Sequence, residues 1–187
     1  MDDLRYPVGK FHFPDSISTK DLTGFIGQIA ETPARMRRAL AGLSDSQLDT
    51  PYRPGGWTVR QVAHHVPDSH INSYTRFRLA LTESEPVIKP YEEQRWAERW
   101  DARAEPVEIS LTLLESLHAR WVPLLRSLSA SEWKRCFRHP QLGLISLENN
   151  AALYGTGAIT SRTSLLCASA CVGSQCSCRR HPLRGAR

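Results

Sequence analysis

The sequence predicts an all-α domain, a four-helix bundle whose fourth helix is incomplete. Three observations lead there. Four segments repeat apolar residues at intervals of three and four, no long segment alternates apolar with polar residues, and the periodicity stops after Tyr154. Helices of about twenty residues with one apolar stripe each bury those stripes by packing side by side, as an up-down bundle.

The first helix is expected over 20–43, with Leu22, Phe25, Ile26, Ile29, Met36, Leu40 and Leu43 on one face and Ser18 or Thr19 placed to cap it. Pro33 falls inside and is expected to kink it. The second, over 58–82, opens at Thr58 after Pro54-Gly55-Gly56-Trp57 and carries Val59, Val62, Val66, Ser73, Phe77 and Leu81. The third, over 107–129, follows Pro106 with Leu111, Leu114, Leu117, Trp121, Leu124, Leu125 and Leu128. The fourth, over 146–154, has Leu147, Ala151 and Tyr154 facing one way. The long connection 83–105 holds Tyr91, Trp96 and Trp100, which predict that it folds across an end of the bundle. Residues 135–145, with His139-Pro140 and Gly143, form a loop or a short hairpin.

From Gly155 the character of the chain changes. Residues 155–187 hold no aromatic residue, acid or lysine, but many Ser, Cys, Arg and Gly. Such a composition buries too little surface to offset chain entropy, so disorder is expected there. Two parts follow: a bundle domain over 1–154 and an aberrant basic tail over 155–187.

Composition narrows the function. Apolar residues at 41% and charged residues at 23% fit a globular protein of 187 residues with one core. No run of eighteen apolar residues is present, which predicts no membrane span. The first ten residues carry Asp2, Asp3 and Arg5 without an apolar run, so no secretory signal is read there and a cytoplasmic protein is expected. The net charge of +5 resides in Arg162, Arg179, Arg180, Arg184 and Arg187. The globular part is neutral, so specific nucleic-acid binding is not expected, and a basic tail would attract phosphate only without specificity. Four of the five cysteines (Cys167, Cys171, Cys176, Cys178) lie in the tail, without the paired Cys-x-x-Cys spacing of a zinc ribbon.

The densest chemistry lies in residues 57–70, where His64, His65, Asp68 and His70 fall within two helical turns. His64 and Asp68 share a helix face, as do His65 and Ser69. His65 lies beside the apolar stripe, so its imidazole can point inward as a hydrogen-bonded core group or as a metal ligand. Spacing alone leaves both open. A zinc-type site needs at least three protein ligands, and this helix offers one inward.

The run from Pro51 through Pro54-Gly55-Gly56-Trp57-Thr58-Val59-Arg60-Gln61-Val62, then His64-His65-Val66 and Asp68-Ser69-His70, resembles the YfiT branch of the DinB superfamily. Leu4-Arg5-Tyr6-Pro7, Leu79-Ala80-Leu81-Thr82-Glu83, Lys89-Pro90-Tyr91, Leu117-His118-Ala119-Arg120-Trp121 and Phe137-Arg138-His139-Pro140 extend the likeness over residues 1–154. The resemblance implies a DinB-like four-helix bundle, often a homodimer, holding a divalent metal (nickel or zinc) on three histidines. It implies metal-dependent hydrolysis of a small molecule, or the thiol-dependent S-transfer of some relatives; a non-catalytic bundle fragment is the alternative. His65 stands at the position of the ligand from the second helix. His64, Asp68 and His70 are candidates for contacts around it or for plain helix surface.

The other two ligands are expected as His-x-x-x-His in the fourth helix, shortly after a Leu-Tyr pair. Leu153-Tyr154 is present, but Gly155-Thr156-Gly157-Ala158-Ile159-Thr160 follows. A displaced reading frame explains the loss. If each codon takes its last two bases from the first two of the next residue, Thr156, Thr160 and Thr163 give codons ending AC and Ile159 one ending AT. All four are histidine codons when the free base is C. With permitted free bases throughout, Thr156 to Gly173 spell HGRHHVAHITSLRERMRW, an amphipathic helix with the missing histidines. Pro67 is a second departure, inside the second helix and two residues from His65, where the lost backbone bond costs about 3 kcal/mol.

Overall fold

A computed structural model describes residues 11–156. The disorder expected of the tail falls on residues that, beyond Thr156, lie outside the described ones. Among the described residues eight helices and one hairpin follow in order: α1 (Thr19–Leu40), α2 (Asp45–Leu48), α3 (Val59–Thr82), α4 (Glu93–Ala97), α5 (Trp100–Ala104), α6 (Val107–Ser127), α7 (Ala130–Trp133), β1 (Cys136–His139), β2 (Gly143–Ser146) and α8 (Leu147–Gly155). The four expected helices are α1, α3, α6 and α8.

Local chemistry sets their ends. The Ser18 side chain accepts from the Asp21 N–H while Asp21 reaches back to Ser18, and Thr58 and Gln61 do the same for α3. α1 stops at Leu40, before the expected 43, because Ala41 is extended and Gly42 turns at φ 75°. α6 stops at Ser127 because Leu128 is extended and Ser129 already caps α7, with Glu132 completing the box. Pro33, Pro67 and Pro123 each lie inside a long helix, and each helix continues through its proline.

The four-helix bundle predicted from the sequence is the observed architecture, but its helix order is not simple up-and-down succession. α6 lies between α1 and α3, α8 packs on α1 and α3 from the opposite side, and the consecutive helices α1 and α3 scarcely touch. Directions follow from cross-helix contacts. Ile29 meets His118 while Arg37 meets Glu108 and Glu115, so α1 and α6 are antiparallel. His64 meets Ser110 and His70 meets His118, so α3 and α6 are parallel. Ser69 meets Tyr154 and Ser73 meets Asn150, so α8 runs against α3.

A parallel α3–α6 pair requires the chain to return along the whole of α3, roughly 36 Å for its 24 residues. Residues 83–106 make that return. At one end the Ile88 N–H donates to the Arg138 carbonyl. Midway, Trp57 Nε1 donates to Gln94 and Gln61 Nε2 to the Ala97 carbonyl; at the far end Arg60 donates to the Glu105 carbonyl. The segment thus runs along α3 and does not fold across an end of the bundle as expected. Residues 135–145 resolve as the hairpin, with Phe137 opposite Ile145 and both side chains in the core.

The core has two centres. One gathers Ile29, Phe77, Trp121, Trp133, Phe137, Leu147 and Tyr154; the other gathers Met36, Leu40, Val59, Val66, Leu111 and Leu114. Along α3 and α6, His70 and His118 fall between them.

Candidate metal centre

The histidines of α3 have three different surroundings, because successive residues of a helix turn by about 100°. His64 is buried against the α5–α6 junction. Its Nε2–H donates to the Glu105 carbonyl at 3.0 Å, and the Ser110 hydroxyl donates to its Nδ1 at 2.7 Å. Both nitrogens are committed, and burial holds its pKa below the usual histidine value. His64 is thus a buried structural tie between α3 and the start of α6, not the helix-surface group that was the plainer expectation.

His65 is half-buried, and its imidazole lies between two aromatic rings. Trp57 is 4.8 Å away centroid to centroid and Tyr91 is 6.3 Å away, with Trp96 a further 4.7 Å beyond Tyr91. Burial lowers its pKa to about 4, so the ring is neutral and keeps a lone pair at neutral pH. Asp68, one turn on, has its carboxyl pushed up to about 6, chiefly by burial and further by the charge of Asp101. The Tyr91 hydroxyl is raised by burial, against a hydrogen bond with Ser69 that lowers it. Ser69 is shared with α8, since the Tyr154 hydroxyl donates to the Ser69 carbonyl at 3.0 Å. Pro67 leaves this arrangement intact, as α3 is continuous from Val59 to Thr82.

His70 points away from His65, into the core, where it meets His118 of α6 at 2.8 Å. Sequence reasoning did not single out His118. The available signal was a histidine in the apolar series Leu111, Leu114, Trp121 and Leu125 of the third helix. The clamp of Trp57 and Tyr91 was also missed, since 34 residues separate two rings that meet only because the return segment lies along α3.

A centre for a divalent ion needs three converging donors. Among the described residues no group of three or more His, Cys, Asp or Glu side chains could hold a metal ion. α8 ends at Gly155, and Thr156 stands where the next donor is expected. The tail cysteines and His181 lie outside the described residues. The described residues therefore do not fit a three-histidine metal site, and His65 is the one residue standing at an expected ligand position.

Comparison with known proteins agrees with this geometry. The family model described as the DinB superfamily matches residues 28–156. A Bacillus cereus (strain 03BB102) protein named "Putative metal-dependent hydrolase" is 51% identical over 154 residues, covering 82% of this chain and 88% of its own. A Bacillus mycoides protein of the same description is 50% identical over 154 residues, with the same shares covered. YfiT from Bacillus subtilis, described as a probable metal-dependent hydrolase with an unusual four-helix bundle topology, superposes with a TM-score of 0.80 at 46% identity, covering 86% of this chain and 94% of that one. With the bundle, the His65 position and these matches together, the chain belongs to the DinB superfamily.

Proposed function

We propose that this chain has the fold of a metal-dependent hydrolase and keeps one ligand, His65, but as translated neither holds nickel or zinc stoichiometrically nor hydrolyses a substrate. One observation carries this reading: no group of three or more donor side chains that could hold a metal ion forms among the described residues. A single imidazole does not hold a divalent ion against water. Thiol-dependent S-transfer would need the same ion and is absent for the same reason. What remains is a small-molecule site without its reactive centre: the clamped His65, the half-buried Asp68 carboxyl and the Tyr91 hydroxyl. The intact relative of this chain would hold nickel or zinc, both of which accept imidazole ligands. A cytoplasmic homodimer completes the proposal, supported by the family resemblance; among the described residues no helix is long and apolar enough to cross a membrane.

Metal analysis of the purified chain tests it, with His65→Ala and a variant lacking the four tail cysteines measured in parallel. Well under one ion per chain is expected. Stoichiometric nickel or zinc that disappears in His65→Ala overturns the proposal. Metal that disappears only with the cysteines places the ion elsewhere and leaves it standing.

A further inference from the structure

The His70–His118 pair joins three helices through one directed chain of hydrogen bonds. The Ile29 carbonyl of α1 can only accept, so His118 Nδ1 carries the proton that it receives at 2.8 Å. His118 Nε2 is then a lone pair, and the His70 Nδ1–H must donate to it at 2.8 Å. This fixes both tautomers and leaves His70 Nε2 without a proton. That nitrogen is fully buried and has no partner among the described residues. The rings stack with centroids 4.9 Å apart, and Trp121 and Tyr154 meet His70 edge to face at 5.8 and 5.0 Å.

The chain has one place for a further proton, His70 Nε2, and nothing there to receive the charge. From α3 the next titratable group is His65, itself a base, and from α8 it is the Tyr154 hydroxyl, occupied with Ser69. On the α1–α6 side, Arg37, Arg38, Arg126 and Glu115 line the groove that His118 borders, and Glu115 is already paired with Arg37. No carboxylate is hydrogen-bonded or ion-paired to either ring among the described residues.

We propose that the His70–His118 pair is a latch that holds α1, α3 and α6 together while neutral and loosens them when it takes a proton at His70 Nε2, where the charge would be buried without a partner. Burial lowers His118 to about 4 and His70 well below the ordinary histidine value, as the geometry requires. The sign follows from linkage. A histidine depressed in the fold binds its proton first in the unfolded chain, so stability is full above the unfolded value of about 6.5 and is lost as pH falls below it. Each such ring lowers the folding equilibrium constant about fivefold over the first pH unit below 6.5, so two give about thirtyfold.

The test pairs chemical denaturation with NMR on the full chain. A double variant, His70→Asn with His118→Gln, keeps one donor toward the His118 position and an acceptor–donor pair there, but cannot titrate. Between pH 6.5 and 5.5 the wild-type folding constant is expected to fall about thirtyfold more than that of the variant, because each ring is already half protonated in the unfolded chain at pH 6.5. Equal falls in both overturn the proposal. Should the variant not fold at pH 7.5, imidazole nitrogen shifts of the wild-type chain decide. A bare His70 Nε2 and a protonated His118 Nδ1 with neither ring charged down to pH 5.5 sustain it. A ring that titrates at 6.5 or above in the intact fold overturns it.

Discussion

α3 and α8 both begin with a capping side chain, yet one runs 24 residues and the other nine. Over its short length α8 is no weaker an element. Leu147, Asn150, Ala151, Ala152, Tyr154 and Gly155 are all buried, the Asn150 amide donates to Ser73, and Tyr154 reaches Ser69. The difference between the two is therefore not a gradual loss of helical character. α8 is a properly specified helix up to Gly155, and its specification stops at one point in the chain. A helix that had drifted under relaxed selection would instead scatter polar residues along its buried face.

The largest effect should come from replacing residues 156–173 with HGRHHVAHITSLRERMRW, the sequence expected from the displaced frame. The repaired chain would supply the missing histidines and would hold one nickel or zinc ion per chain. Metal bound to the native state alone stabilises it by about 4 kcal/mol at a thousandfold excess over Kd. Thermal melts of both chains with chelator and with added metal should show a metal-dependent rise only in the repaired one. If the repaired chain melts no higher and binds no ion, Pro67→Ala in that background separates a disabled α3 from a mistaken ligand.

A smaller effect tests the claim that α8 is fully used. Leu147 is completely buried in the larger core centre, and Leu147→Ala should cost about 2–5 kcal/mol in urea unfolding. A loss below 1 kcal/mol would mean that α8 is not packed as described. Gly155→Ala comes next. A Cβ there would sit 2.4 Å from the Phe25 Cβ and 2.6 Å from its Cα, so α1 would have to shift, at about 1–3 kcal/mol. Smallest and most alike should be the caps. Thr58→Ala and Ser146→Ala each remove an oxygen that accepts a backbone N–H, at about 1 kcal/mol apiece. A cap effect present in α3 and absent in α8 would show that the short helix frays at its start, contrary to the comparison.

Much of this was legible in the sequence because it is local. Ser18 with Asp21 and Thr58 with Gln61 announce helix starts, and the apolar repeat marks which face of each helix is buried. His65 was legible through the motif around it. The helix order was not, because it depends on where the return segment lies, and the aromatic residues of that segment say only that it packs somewhere. The clamp on His65 was hidden for the same reason. The pairing of His70 with His118 was hidden because a histidine at a core position looks the same whether it meets a ligand, a carbonyl or another histidine.

The order of the helices also has a consequence in time. α1 and α3 scarcely touch, and what connects them across the bundle is α6 on one side and α8 on the other. As the chain leaves the ribosome, the first two long helices emerge without a surface on which to dock. The short segments before α6 can settle along α3, but side-by-side packing of the long helices begins only when α6 arrives, about ninety residues after the start of α1, and the α1–α8 contacts close loops of more than a hundred. Loop closures of that length are slow and leave apolar stripes exposed while they wait. A bundle of adjacent hairpins would have assembled pair by pair during synthesis; this one must assemble nearly at once, and late.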